Sequence, residues 1–237
     1  MEGKTHRIGG TVGALAGYIV MKESGFLLDE QLVNPALQLV LIYTSGIYGG
    51  MWSDNDHHWA SSPLSDPLSW VQNKVLHLAN KPYKYLDEKL TSKQKRKSIP
   101  YKLLDILSCR HRSWQTHSEF TLFILYLIWV YVNKAGVSSS IDRVLWYLLL
   151  FGFTFGVVSH IILDSLTTEG VKIATTTIVN KLFNVKLIDT VRFVPNSSTF
   201  STGSEWEHLI RNALRLTQYI LLSIVVGYLL NIDVLGW

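Results

Sequence analysis

Five long stretches without Asp, Glu, Lys or Arg constrain this chain more than any other feature of its sequence. They lie at 8–21, 31–53, 120–133, 144–163 and 216–232. Three of them have 17 or more residues, enough to cross ~30 Å of hydrocarbon at ~1.5 Å per residue. Stretches 8–21 and 120–133 have only 14, a length also typical of buried helices or partial insertions. The sequence therefore predicts an all-α, polytopic membrane helix bundle with about five membrane-associated helices.

The overall composition agrees with a membrane location. Hydrophobic residues make up 48% of the chain and charged residues 17%, whereas soluble domains carry about 25% charge. Cys109 is the single cysteine, so an internal disulfide is excluded. We expect one membrane-embedded domain over residues 1–237.

The charges between the stretches predict the orientation of the helices. Segment 73–112 holds eleven Lys and Arg. Three of the four charged residues in segment 22–34 are acidic, and segment 165–215 is again basic. Basic segments stay in the cytosol, so five spans with a cytosolic N-terminus satisfy the alternation in a multi-pass protein of the cell membrane. Three spans also satisfy it if 8–21 and 120–133 dip in and return. The basic run 93–97 ("KQKRK") is expected to set topology, and no nucleic acid partner is expected.

Ionisable residues gather at the predicted cytosolic ends of the stretches. The clusters are His6 before the first, "WSDNDHHW" after the second, "HRSWQTHSE" before the third, "SHIILD" ending the fourth, and Glu205, Glu207 and His208 before the fifth. On a helix, His160 and Asp164 are one turn apart and share a face. His77 has no such neighbour, and we expect it to be structural.

This layer of imidazoles and carboxylates predicts a metal site at one membrane face. Three or more nitrogen and oxygen ligands suit a divalent ion, Zn²⁺ first, with Mn²⁺ or Fe²⁺ as alternatives. A cation would neutralise carboxylates in apolar sequence, where charges are costly. Taken singly, the His160–Asp164 pair is also compatible with a hydrogen-bonded core pair, and "DND" with a simple turn.

Together these motifs resemble a known family. "THR" near the start, "DNDH", "HRSWQTHS", "SHIILDSLTTEGV" and "TGSEWE" occur in the order found in the YdjM-like membrane-bound metal-dependent hydrolases. That family is similar, more remotely, to the all-helical zinc-dependent phospholipase C and P1 nuclease group. The resemblance implies a set of metal ligands: His6, Asp54, Asp56, His57, His117, His160, Asp164 and the late acidic residue Glu207, which neighbours Glu205. It also implies that His111 and Arg112 correspond to the family's "HR" pair.

The function expected from these residues is metal-dependent hydrolysis at the cytosolic membrane surface. A metal-activated water would attack, with Asp54 or Asp56 as general base and His111 beside it. Arg112 could hold a phosphate through its planar guanidinium. The location suggests a lipid-borne substrate, and the remote resemblance alone suggests a phosphoester. Two alternatives remain at this point: a non-enzymatic membrane protein with a structural or transported metal, and a membrane-anchored interaction module.

Overall fold

The computed structural model describes residues 3–24, 33–52, 54, 67–108, 118–134, 140–193, 201 and 203–230. Most of these residues are helical. The helices are α1 (Gly3–Glu23), α2 (Pro35–Trp52), α3 (Pro67–Ala79), α4 (Lys81–Lys89), α5 (Ser92–Lys97), α6 (Ile99–Leu107), α7 (Glu119–Lys134), α8 (Ser140–Ser165), α9 (Ala174–Phe183) and α10 (Glu205–Leu229). Two short strands, β1 (Val171–Lys172) and β2 (Thr190–Val191), precede and follow α9 in the chain and pair with each other in antiparallel orientation.

The five apolar stretches form helices α1, α2, α7, α8 and α10, as their composition predicts. In the described part of the chain, two helical segments are long and apolar enough to cross a membrane by length and composition, Ile141–Ser165 and Glu205–Leu229. Helices α1, α2 and α7 are shorter, with 21, 18 and 16 residues. The structure therefore confirms a helical fold with two candidate membrane helices.

The core lies where α1, α2 and α8 pack together, with α10 against α1. Leu15 of α1, Ile42 of α2 and Val225 of α10 are completely buried there, and Leu148 of α8 is nearly so. Hydrocarbon is as apolar as these side chains, so in a bilayer close packing rather than water exclusion must hold such helices together.

Glycines allow the three central helices to approach at backbone distance. A Cβ atom on Gly50 of α2 would lie 2.5 Å from the carbonyl oxygen of His6 in α1. Gly10 of α1 and Gly156 of α8 likewise face the backbone of α2 with no room for a methyl group. Small residues at helix contacts are typical of membrane bundles, and here they fix α1 and α8 against α2.

The basic segment 73–112 folds into helices rather than an extended loop where it is described. Thr91 caps α5 in a reciprocal capping box with Gln94, and Ser98 accepts a hydrogen bond from the backbone N–H of Tyr101 at the start of α6. Such caps satisfy the first amides of short helices. Charge counting along the segment does not reveal them.

Candidate metal centre

Three buried side chains from two helices converge at one end of the central bundle. His6 lies in the first turns of α1, and His160 and Asp164 lie in the last turns of α8. Both histidines are 0% exposed and Asp164 is 1% exposed. One ligand atom of each residue lies within 4.8 Å of the others. The one-turn spacing predicted for His160 and Asp164 thus places both groups in the same site. Their partner there is His6, which precedes His160 by 154 residues in the chain.

The carboxylate of Asp164 contacts both imidazoles. Its Oδ1 lies 3.3 Å from Nε2 of His6, and its Oδ2 lies 3.4 Å from Nε2 of His160. The two rings stack with centroids 3.8 Å apart and planes 20° from parallel. Both Nε2 atoms consequently face the same carboxylate.

A second carboxylate, Asp54, approaches the same pair of nitrogen atoms just beyond the end of α2. Its Oδ2 lies 3.8 Å from Nε2 of His6 and its Oδ1 lies 3.9 Å from Nε2 of His160. The side chain of Asp54 is 19% exposed, in contrast to Asp164. Asp54 therefore lies on the accessible side of the cluster and Asp164 on the buried side.

These groups fit a divalent metal ion. Ligand atoms bound at ~2.0–2.1 Å in a tetrahedral site lie about 3.4 Å apart, close to the two separations between Asp164 and the histidines. Within the described residues, neither ring nitrogen of His6 makes a hydrogen bond of good geometry, although both are buried. A buried polar atom without a hydrogen bond costs about 1–3 kcal/mol of stability. A cation bound to Nε2 would remove that cost for this nitrogen. Two imidazoles and two carboxylates suit Zn²⁺, Mn²⁺ or Fe²⁺.

The backbone of α2 fixes the tautomer of His160. Nδ1 of His160 lies 2.6 Å from the carbonyl oxygen of Gly50. A carbonyl oxygen only accepts, so Nδ1 carries a proton, and Nε2, which faces the carboxylates, is the nitrogen that could bind a metal ion. Metal-binding histidines are commonly oriented by such a bond. Gly50 therefore serves the site twice, through its carbonyl and through the close approach of α1.

Glu207 is the buried member of the acidic pair that begins α10, whereas Glu205 is exposed. Its Oε1 accepts a hydrogen bond from the hydroxyl of Thr5 at 2.9 Å, and its Oε2 accepts one from the amide of Gly203 at 2.7 Å. Thr5 adjoins His6, so Glu207 fixes the start of α1 beside the cluster. A direct role for Glu207 as a metal ligand stays a prediction.

The structure brings together four of the residues predicted from the sequence: His6, Asp54, His160 and Asp164. Five others lie outside the described residues: Asp56, His57, His111, Arg112 and His117. His77 is exposed on α3 and is no part of the described cluster; the structural role predicted for it stays a prediction.

Sequence reasoning missed Thr5 and Gly50. The signal for Gly50 is the spacing of glycines by four residues, as in Gly46 and Gly50 or Gly152 and Gly156, which is typical of close helix contacts in membranes. Thr5 belongs to the "THR" motif, but its contact with Glu207 could not be predicted, because that contact depends on how α10 docks against α1.

Comparison with known proteins identifies the family. The family model described as YdjM inner membrane protein matches residues 1–230, nearly the whole chain. Neither a curated protein nor a solved structure matches, and the remote similarity to the phospholipase C and P1 nuclease group stays a prediction. The family description and the two membrane-capable helices support a membrane location. The chain belongs to the YdjM family of inner membrane proteins.

Proposed function

We propose that this protein is a membrane-embedded, metal-dependent hydrolase whose site faces the cytosol. The observation that carries the proposal is the buried cluster of His6, His160 and Asp164, with the more accessible Asp54 beside it. Ionisable groups of this kind are costly in apolar helices and usually mark function.

The exposure of the four side chains suggests two roles, metal binding for the buried ones and proton transfer for the accessible one. His6, His160 and Asp164 would hold the ion, since they are buried and their ligand atoms are close together. When bound, a divalent metal supplies Lewis acidity and lowers the pKa of a coordinated water toward about 7. Asp54 lies slightly farther from the imidazoles and is partly exposed. It is therefore our candidate for the general base that takes a proton from the attacking water.

The arrangement of helix ends supports a five-helix, multi-pass topology. The start of α1, the end of α2, the end of α8 and the start of α10 supply His6, Asp54, Asp164 and Glu207 respectively. These ends belong to one side of the membrane if α1, α2, α7, α8 and α10 alternate in direction. The basic segment 73–112 follows α2 and assigns that side to the cytosol by the positive-inside rule.

A lipid-borne phosphoester is the substrate class we propose. The site lies at one end of an apolar bundle, where a lipid head group would arrive. Arg112 belongs to the family motif and would bind a phosphate through two parallel hydrogen bonds, which an ammonium group cannot reproduce.

The experiment that tests the proposal combines metal analysis with a substrate screen. Protein purified in detergent should contain a divalent metal. It should hydrolyse a phosphoester lipid analogue, lose that activity in a chelator, and regain it with Zn²⁺ or Mn²⁺. Arg112→Lys should slow the phosphoester reaction but leave a carboxylester analogue unaffected. Folded, metal-loaded protein that hydrolyses neither analogue would exclude the hydrolase.

A structural metal is the second candidate function. The complete burial of His6, His160 and Asp164 is typical of closed sites in which metal joins two elements. Such an ion would hold α1 against α8 and would be retained by protein that hydrolyses none of the analogues.

A further inference from the structure

A cavity of about 660 Å³ lies between α2, α7 and α8, outside the metal centre. Most of its lining residues are apolar or aromatic, and the others are Thr44, Ser45 and Thr121. Each helix provides one wall of the cavity. Tyr48 and Trp52 belong to the wall from α2, Ile124 and Ile128 to that from α7, and Leu149 and Phe153 to that from α8. The two isoleucines of α7 are exposed even though they line the cavity. The cavity is therefore accessible from the side of α7.

Helix α7 is held away from α2 by contacts with other elements. The indole N–H of Trp129 donates a hydrogen bond to the hydroxyl of Thr154 in α8 at 3.2 Å. At the start of α7, the carboxylate of Glu119 accepts hydrogen bonds from the first amides of α9, Ala174 at 3.0 Å and Thr175 at 3.3 Å. Helix α7 packs against α8 but has no extensive contact with α2. The gap between them is thus built into the packing.

The cavity leads toward the metal centre. Along α2 its lining runs from Thr44 to Trp52, about 12 Å at ~1.5 Å per residue. Trp52 is the last residue of α2, two positions before Asp54. Trp52 also packs edge-on against Phe153, with centroids 5.5 Å apart, and Phe153 precedes His160 by two helical turns. An extended molecule in the cavity would therefore have one end near the proposed general base.

We propose that this cavity binds a hydrocarbon tail of a membrane lipid whose polar head extends to the metal centre. The inference rests on the proposed function for the identity of the head group, but tail binding itself does not. The walls favour a hydrocarbon over a polar ligand, because the hydroxyls of Thr44 and Ser45 donate to carbonyl oxygens of their own helix and the cavity offers few partners for polar groups. The position of Trp52, two residues before Asp54 in the chain, distinguishes this cavity from an ordinary lipid-facing groove. Exposed isoleucines on α7 provide a lateral entrance from the bilayer.

Photocrosslinking tests tail binding without relying on turnover. The full-length protein is reconstituted in phosphatidylcholine vesicles containing phosphatidylglycerol with a diazirine near the end of one acyl chain. Crosslinks should concentrate on residues 44–52, 120–128 and 149–153. Ile124→Trp places a larger ring in the cavity, so crosslinking there should fall about tenfold, which corresponds to about 1.4 kcal/mol of binding free energy.

Leu127→Trp is the matched control. Leu127 is also exposed on α7 but does not line the cavity, so this variant should crosslink like the wild type. Equal metal content in both variants would show that the bundle is intact. Crosslinks spread evenly over exposed apolar positions such as Leu216 and Ile220 of α10 would overturn the proposal. Equal crosslinking of the cavity in the two variants would also overturn it.

Turnover separates the tail site from the proposed function. With long-chain and short-chain phosphoester analogues, Ile124→Trp should raise the KM for the long-chain analogue relative to the short-chain one, and Leu127→Trp should leave the ratio unchanged. Cavity-specific crosslinking without any turnover would reject the hydrolase and keep the lipid site. Turnover of both analogues without cavity-specific crosslinking would reject the lipid site and keep the hydrolase.

Discussion

Replacing Gly50 by alanine should loosen the metal centre without removing any proposed ligand. The new Cβ atom would lie 2.5 Å from the carbonyl oxygen of His6 and 2.8 Å from the Cα of Gly10. Both are backbone atoms, so no change of side-chain rotamer relieves the contact. Helix α1 must retreat by about 0.9 Å to reach the 3.4 Å of ordinary contact. We expect a loss of about 1–3 kcal/mol in stability, the usual cost of overpacking.

The same displacement should weaken metal binding. Helix α1 carries His6, and the carbonyl of Gly50 orients His160. Disturbing an orienting partner of a metal ligand typically costs about 10–100-fold in affinity. The assay is metal content together with thermal unfolding of detergent-purified protein, with and without a chelator.

Gly3→Ala is the control, because a Cβ atom on Gly3 meets nothing within 4 Å. Gly3 is the first residue of α1, and alanine is a better helix former than glycine, so Gly3→Ala should not lose stability. We therefore expect Gly50→Ala to lower the stability of the protein and Gly3→Ala to leave it unchanged or slightly higher. The reasoning is refuted if Gly50→Ala binds metal and unfolds like the wild type, or if Gly3→Ala is equally damaging.

Three further predictions follow from the site. His160→Ala should lower metal content strongly and His77→Ala should not, as elemental analysis will show; similar behaviour would refute our division of the histidines. Asp164→Asn should release metal, whereas Asp54→Asn should keep most of it and lose turnover; comparable metal loss would make Asp54 a ligand instead of a base. Replacing Lys and Arg in 93–97 by Gln should change insertion orientation or lipid preference but spare turnover of a soluble analogue; lost turnover with intact topology would place these residues in the site.

The five apolar helices and the His160–Asp164 pair could be predicted because they depend on local sequence. Uncharged stretches form helices in apolar surroundings, since their amides must bond internally. The one-turn spacing of His160 and Asp164 follows from helix geometry alone. Both features appear in α8 as expected.

Contacts between distant segments could not be predicted in the same way. Glu205 and Glu207 are equivalent by composition, and only the docking of α10 against Thr5 determines that Glu207 is buried. The role of Gly50 depends on α1, α2 and α8 together. Helices α3–α6 were missed because their charges dominate the pattern of segment 73–112, while their caps are single polar residues.

The candidate ligands join α1 to α8, with Asp164 in contact with both histidines. Such a site exists only after α1 and α8 have come together, so ion binding and assembly of the bundle are thermodynamically linked. A ligand that binds only the folded state at a thousand times its Kd adds about 4.1 kcal/mol. If the cluster binds a metal ion, the supply of that ion would govern how much of the protein persists folded in the membrane, and a cell short of the ion would lose the folded protein itself.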